Sequence, residues 1–194
     1  VLVSDVNEYY SWRDAVGADS YTLRFTGTDT GDDLRSTLIV LQMDGASQHI
    51  VASELGGEVS ELIIVGDDIW TRTDDEDWST IDEIGHLARL VLAPISADLW
   101  YSVAHETLSS TEFKGWAQVD GTDVAVFSGG STAAQIAADA LGITQPIPDG
   151  ELTLMWDPAG FFRSVGVTFA NEYGERSNCW TVTDIDETTV EPPT

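Results

Sequence analysis

The chain has 194 residues, 42% of them hydrophobic, which suits a single folded domain and argues against general disorder. Its 34 acids against 8 bases give a net charge of −26, so its surface repels phosphate backbones and anionic lipid headgroups, and nucleic acid is excluded as a partner. No apolar run reaches the roughly eighteen residues that a membrane-spanning helix needs.

Lys114 is the only lysine. Such acidity suits a protein that stays hydrated in high salt, where screening weakens self-repulsion, and a saline (halophilic) source is the expectation. Keeping a secreted protein soluble is the blander explanation. Cys179 is alone, so the chain forms no internal disulfide; in "NCWTVTDI", beside Trp180, it reads as a small core residue. The sequence starts "VLVSDVNEYY", without Met or a basic-then-apolar leader. That reads as a trimmed product, with membrane association expected only through a lost N-terminal anchor.

In chain order, residues 4–16 carry helical apolar spacing, with Ser4 or Asp5 as N-cap and Gly17 as the stop. The period then changes to two. "YTLRFTGTD" (21–29) places Tyr21, Leu23 and Phe25 on one face. "LRSTLIVLQM" (34–43), "SQHIVASEL" (47–55), "SELIIV" (60–65) and "IWTRT" (69–73) follow as hairpin strands, with Gly and Asp supplying positive φ at the turns. Residues 81–93 contain a short helix that Pro94 breaks, and 95–108 form another, capped by Ser96. "EFKGWAQV" and "DVAVFSG" make a hairpin through Asp120 and Gly121. The alanine-rich 131–142 is the best helix, capped by Ser131 and closed by Gly142. Three strands end the fold: "ELTLMWD", "FFRSVGVTFANEY" and "ERSNCWTVTDI".

Several strands are apolar on both faces. Leu38 and Val40 oppose Ile39, Leu41 and Met43, and Leu62 and Ile64 oppose Ile63 and Val65. A sheet with one wet face alternates cleanly, so both faces of these strands need cover. A filled, sandwich-like core meets that need. So do helices laid in a curved sheet around an apolar cavity, the usual small-molecule site.

The sharper chemistries find little support. "DTGDD" (29–33) and "DDED" (74–77) lack the spacing of a calcium loop and read as turn and solvation residues. His49, His86 and His105 lie far apart without metal-ligand pairing, so no metal is expected. The glycine-rich "TGTDTG" and "FSGGST" have no following lysine, and capping explains the second. Of the seven tryptophans, most read as packing residues, with one or two left for a cavity mouth.

The order of these pieces resembles the bacterial LolA-like proteins, nearest to the exported lipoproteins of the LppX/LprG type. The resemblance rests on "ELIIVGDDIWTRTDDEDW", with Val65-Gly66, Ile69-Trp70, the acidic turn 74–77 and Trp78; on Trp156-Asp157, Gly160 and Arg163 in "LTLMWDPAGFFRSVGVTF"; and on the closing "TVTDIDETTVEPP". The acidity and the single lysine depart from the pattern. The resemblance implies an α+β fold: a strongly curved antiparallel half-barrel of about ten strands, with helices closing the concave face. It further implies an exported carrier of lipid or lipoprotein acyl chains in the periplasm or on the outer face of the cell membrane, lipid-anchored at full length, with no catalytic residues and no cofactor. The alternative is an envelope sensor of the same fold that binds a protein partner; a hydrolytic carboxylate pair is the remaining rival. Taking one face from each strand and the apolar helix faces, the ligand lining is expected at Leu23, Phe25, Leu38, Val40, Leu62, Ile64, Trp70, Leu99, Val103 and Ile136.

Overall fold

A computed structural model of the chain describes residues 16–29, 35–54, 57–81, 103, 106–140, 146–171 and 174–193. The helical segment expected at 4–16 falls outside them except for Val16, which is helical and is followed by Gly17 at φ 76°. Most of the interior helices expected at 81–93 and 95–108 also lies outside, including Leu99. Ile81, expected to start the first, is instead joined to a strand, its N–H donating to Ile69 O at 3.0 Å.

Eleven strands form one antiparallel sheet: β1 (Ser20–Asp29), β2 (Arg35–Asp44), β3 (Ser47–Glu54), β4 (Val59–Val65), β5 (Asp68–Thr73), β6 (Ser79–Thr80), β7 (Glu112–Val119), β8 (Thr122–Gly129), β9 (Glu151–Trp156), β10 (Phe162–Asn171) and β11 (Gly174–Thr183). Their order is β6-β5-β4-β3-β2-β1-β11-β10-β9-β8-β7, so β6 and β7 are the open edges. Only the two-residue β6 is new to the sequence reading. The tight turns follow the turn chemistry: Gly45, Gly66 and Gly121 have positive φ. Among the described residues every non-glycine with positive φ is an aspartate: Asp74, Asp120, Asp184 and Asp186. Part of the acidity is therefore turn-building.

The sheet is curved and unclosed, and one bond measures the curvature. The Asp184 N–H, just past β11, donates to Asp120 Oδ2 at the β7–β8 tip, 2.8 Å away. Strands β9 and β10 lie between these elements in the sheet, so the sheet curls to bring them together.

One α-helix of the described residues, α1 (Ser131–Ala140), lies on the concave face over β8–β10. Its face is Ala133, Ala134, Ala137 and Ala138, all fully buried at helical spacing. Small residues meet it on the sheet: a Cβ on Gly129 would come within 2.6 Å of the Ala133 Cβ, and one on Gly150 within 2.7 Å of the Ala134 Cβ. Ser131 does not cap through its side chain as expected; its hydroxyl donates to the Pro148 carbonyl and ties the helix start to the turn before β9. Gln135 adds a second tie, its Oε1 accepting from the Ile147 N–H at 2.9 Å.

Two further clamps set the ends of the sheet. After β11 the tail crosses β1, with the Ser20 hydroxyl donating to Thr188 O at 2.8 Å and the Asp186 N–H donating to Ser20 O at 2.8 Å. The β9–β10 turn is an Asp-led turn: Asp157 Oδ1 accepts from the Ala159 and Phe161 N–H groups at 2.9 Å each. Asp157 Oδ2 meets Arg163 Nη2 at 2.6 Å, and Arg163 Nη1 donates to Val16 O at 2.7 Å. Asp157 and Arg163 of the sequence motif thus form a buried ion pair that ties the Val16 carbonyl to the sheet, beside an exposed Gly160.

Candidate ligand-binding face

Strand pairing decides which residues share a face, because directly opposed residues point the same way. One row runs across ten strands: Phe113, Phe127, Leu154, Val165, Trp180, Phe25, Ile39, Ala52, Ser60 and Thr73. A parallel row runs Val182, Leu23, Leu41, Ile50, Leu62 and Thr71. Both rows belong to the concave face under α1, and most of their side chains join one apolar cluster. Phe25 and Trp180 meet there with ring centroids 4.6 Å apart.

Cover over this face is uneven. Under α1, Leu152, Leu154, Val165, Val167 and Phe169 are buried to 2% exposure or less. On the other side Phe25, Ala52, Ile64, Ile69 and Ile81 pack against the cluster yet are only half-buried. Buried and half-buried residues are mixed on both flanks: Leu23, Leu41, Ile50 and Leu62 are buried beside these residues, and Phe127 and Trp156 are half-buried on the α1 side.

The structure separates the residues expected to line a ligand. Leu23, Phe25, Leu62 and Ile64 share the concave face, and Val103 joins its cluster at 1% exposure. Leu38, Val40 and Trp70 lie on the opposite, convex face; Ile39, Leu41 and Ile69 hold the concave positions instead. The cause is the one-residue alternation of a strand. Leu38 and Val40 share parity with Gln42, and Trp70 with Arg72, and those polar neighbours belong to a surface network. Ile136 sits off the alanine face of α1, half-buried and outside the cluster, and Leu99 lies outside the described residues.

The convex network is the main polar constellation of the described residues. His49 Nδ1 lies 2.9 Å from Gln42 Oε1, and His49 Nε2 lies 3.0 Å from Glu61 Oε2. Arg72 Nε donates to Glu61 Oε1 at 2.7 Å, and its guanidinium stacks on Trp78 at 4.6 Å. The chain of contacts is structural: both Glu61 oxygens are already engaged by Arg72 and His49, and the cluster lies on the face away from the apolar rows. Asp74, one of the "DDED" acids, accepts the Val59 N–H at 2.8 Å and serves its turn. Among the described residues no three His, Cys, Asp or Glu side chains converge as a metal site. Cys179 is not the core residue expected; it is half-buried on the convex face, 3.8 Å from the Ser164 hydroxyl and 3.6 Å from that of Thr181, and Trp180 holds the core position.

Two features escaped the sequence reading. The Tyr21 hydroxyl, at 1% residue exposure, has no hydrogen-bond partner among the described residues, and burial pushes its pKa above the ordinary phenol value. On β7, Phe113 and Trp116 are the exposed large hydrophobic side chains of the described residues, at 53% and 64%. Tyr21 reads as core from its strand period, and an aromatic edge strand is not separable from a packed one by composition.

Solved structures that resemble the chain along most of its length include the following three. Lipoprotein LppX of Mycobacterium tuberculosis is 17% identical, with 92% of this chain and 90% of that one covered at a TM-score of 0.45. LprF of Mycobacterium bovis is 12% identical over 99% and 94% of the two chains at 0.44. A LolA superfamily protein of Nitrosomonas europaea is 8% identical over 99% and 93% at 0.31. The sequence matches no protein-family model and no curated relative.

Proposed function

We propose that the protein is a non-enzymatic carrier that holds lipid or lipoprotein acyl chains against the concave face of its sheet. The observation that carries the reading is the continuous, uncharged apolar wall of that face, in which half-buried Phe25, Ala52, Ile64 and Ile69 stand beside buried Leu23, Leu41, Ile50 and Leu62. An acyl chain gains about 0.8 kcal/mol for each CH₂ it buries, so such a wall binds without specific polar chemistry. Leu23, Phe25, Leu62, Ile64 and Val103 remain in the proposed lining, with Ile39, Leu41 and Ile69 added. The reading needs no catalytic group, cofactor or metal. Export to the periplasm or outer membrane face, with a lipid anchor at full length, is part of the same proposal and follows from the sequence resemblance.

Native mass spectrometry of gently purified protein tests it. An adduct of lipid mass, released by denaturation, supports the carrier and names the cargo class. A clean mass, unchanged after incubation with phospholipid and fatty acid, removes it. The second reading, an envelope module that binds a protein partner, is favoured by the exposed Phe113 and Trp116, since an exposed apolar patch is what a docking module presents. A stable complex formed by ligand-free protein would decide for it.

A further inference from the structure

Buried polar side chains almost always have hydrogen-bond partners, so those without one call for a reason. Of the buried polar residues among those described, Thr22, Thr107, Arg163, Ser164 and Thr188 all bond within the protein. The Gln48 and Asn178 carboxamides, at 9% and 7% residue exposure, make no hydrogen bond among the described residues. Neither does the more deeply buried Tyr21 hydroxyl. All three lie on the concave face, since Tyr21 shares parity with Leu23, Gln48 with Ile50 and Asn178 with Trp180. The orphaned polar groups therefore gather on the wall proposed to hold a ligand.

Two of them stand together. Pairing sets Tyr21 beside Met43, Met43 beside Gln48, Gln48 beside Ile64 and Ile64 beside Ile69. This concave row is the last before the Asp44-Gly45 turn. One strand separates Tyr21 from Gln48, which puts their backbones about 10 Å apart. Asn178 stands at the other end of the face, opposite Gly27, three rows from Tyr21.

The chemistry of the row selects what it can hold. Burial keeps the phenol protonated, so it is a donor, and the carboxamide both donates and accepts. No side chain of the row is charged, so a carboxylate there would lack a cation, whereas an ester carbonyl and a hydroxyl would be satisfied. Neither protein group gives up an internal bond to make one with a ligand, so each bond is a gain and not an exchange. The neighbours in the cluster are apolar, and an entering acyl ester replaces apolar contacts with apolar contacts.

We propose that Tyr21 and Gln48 form the polar end of the ligand site. The Tyr21 hydroxyl donates to the carbonyl of an uncharged acyl ester, and the Gln48 carboxamide pairs with a hydroxyl of its polyol head. The head lies at the β2–β3 turn and the chain runs along the wall toward Phe25. This polar end rests on the carrier reading and deepens it.

Native mass spectrometry tests it with two probes of equal chain length, monoolein and its oleyl ether analogue, offered together from the same detergent micelles. The wild-type chain should carry the ester at about five times the occupancy of the ether, the yield of roughly one hydrogen bond. Tyr21→Phe should bring that ratio close to one. Gln48→Leu should keep it but lose the wild-type preference for monoolein over methyl oleate. Neither variant loses an internal hydrogen bond, so their lipid-free melting temperatures should match or exceed that of the wild type. Equal occupancy by ester and ether in the wild type overturns the proposal and leaves the carrier reading standing, as does a preference that survives Tyr21→Phe. A preference that Asn178→Leu abolishes and Tyr21→Phe leaves intact puts the head at the opposite end, which also overturns it. Tighter binding of oleate than of monoolein sinks the uncharged head. Absence of every adduct removes the carrier reading and the polar end together.

Discussion

Replacing Asp157 by alanine is the sharpest test of how the fold is held. The Asp157 and Arg163 side chains are 8% and 7% exposed, and their charges meet at 2.6 Å. Alanine removes the acceptor for Arg163 Nη2 and for the N–H groups of Ala159 and Phe161. The guanidinium then stays buried with the Val16 and Phe162 carbonyls as its acceptors. Breaking a buried pair from one side costs about 3–5 kcal/mol, mainly because a charge is left uncompensated. In a chain of this length each kcal/mol moves the melting midpoint by about 2–4 °C, so a fall of roughly 6–20 °C is expected. Urea unfolding followed by circular dichroism gives the free energy directly, and the loss should be nearly the same at low and molar salt, because a buried pair is weakly screened. Asp157→Asn, which keeps an oxygen for the turn but presents an amide to the arginine, should fall between wild type and alanine. A loss below about 1 kcal/mol for Asp157→Ala, or strict additivity with Arg163→Met, would refute the reasoning, since partners in one network couple.

Four other outcomes follow from the same geometry. Tyr21→Phe removes a buried hydroxyl without a partner among the described residues, so urea unfolding should show stability unchanged or raised by about 1 kcal/mol; a comparable loss would reveal a hidden acceptor. The same tyrosine makes alkaline stability fall: the unfolded chain releases its proton near pH 10 while the folded chain holds it, so unfolding free energy declines as pH rises above about 10, and one tyrosine should resist spectrophotometric titration until unfolding. Glu61→Ala strips His49 and Arg72 of their shared acceptor and should cost about 1–2 kcal/mol at low salt, less at molar salt because Arg72 is a third exposed; a salt-independent cost would contradict that. Gly129→Ala puts a methyl within 2.6 Å of Ala133 and 2.8 Å of the Ser110 carbonyl, and should lower the melting point by the equivalent of about 1–3 kcal/mol.

Strand existence, turn positions and the hairpin pairings were legible because each rests on local chemistry, whereas the long-range β1–β11 pairing that joins the two halves of the sheet was not. Period-two segments met Gly or Asp-Gly turns, and short turns fix both neighbours and register. Face was legible only where a strand carried an unambiguous polar residue. Arg24 sends Leu23 and Phe25 inward. Gln42 would have sent Leu38 and Val40 outward, and Arg72 would have done the same for Trp70. Reading parity against those polar residues, rather than choosing the apolar set with the larger side chains, was the available signal. On β4 both faces are apolar, Leu62 at 8% and Ile63 at 6% exposure, so nothing in that strand alone discriminates. The β7 bulge was illegible for a different reason: a bulge is a property of two strands, and Lys114-Gly115 announces it only once β8 is alongside.

The placement of charge separates the two faces of the argument about function. Aspartates cluster where the chain turns, and Asp74, Asp120, Asp184 and Asp186 occupy conformations that few other residues tolerate. Glu61 and Asp157 are spent on arginines that hold strands together. The concave rows, by contrast, carry no charged side chain from Phe113 to Thr73, although the chain holds 34 acids. A carboxylate there would cost several kcal/mol unless paired, whether the face meets its own side chains or an acyl chain. Half-buried Phe25, Ala52, Ile64 and Ile69 stand on this face beside buried Leu23, Leu41, Ile50 and Leu62, and half-buried Phe127 and Trp156 beside buried Leu152 and Leu154. An uncharged wall with half-buried Phe25, Ile64 and Ile69 along it is what the proposed acyl cargo would meet.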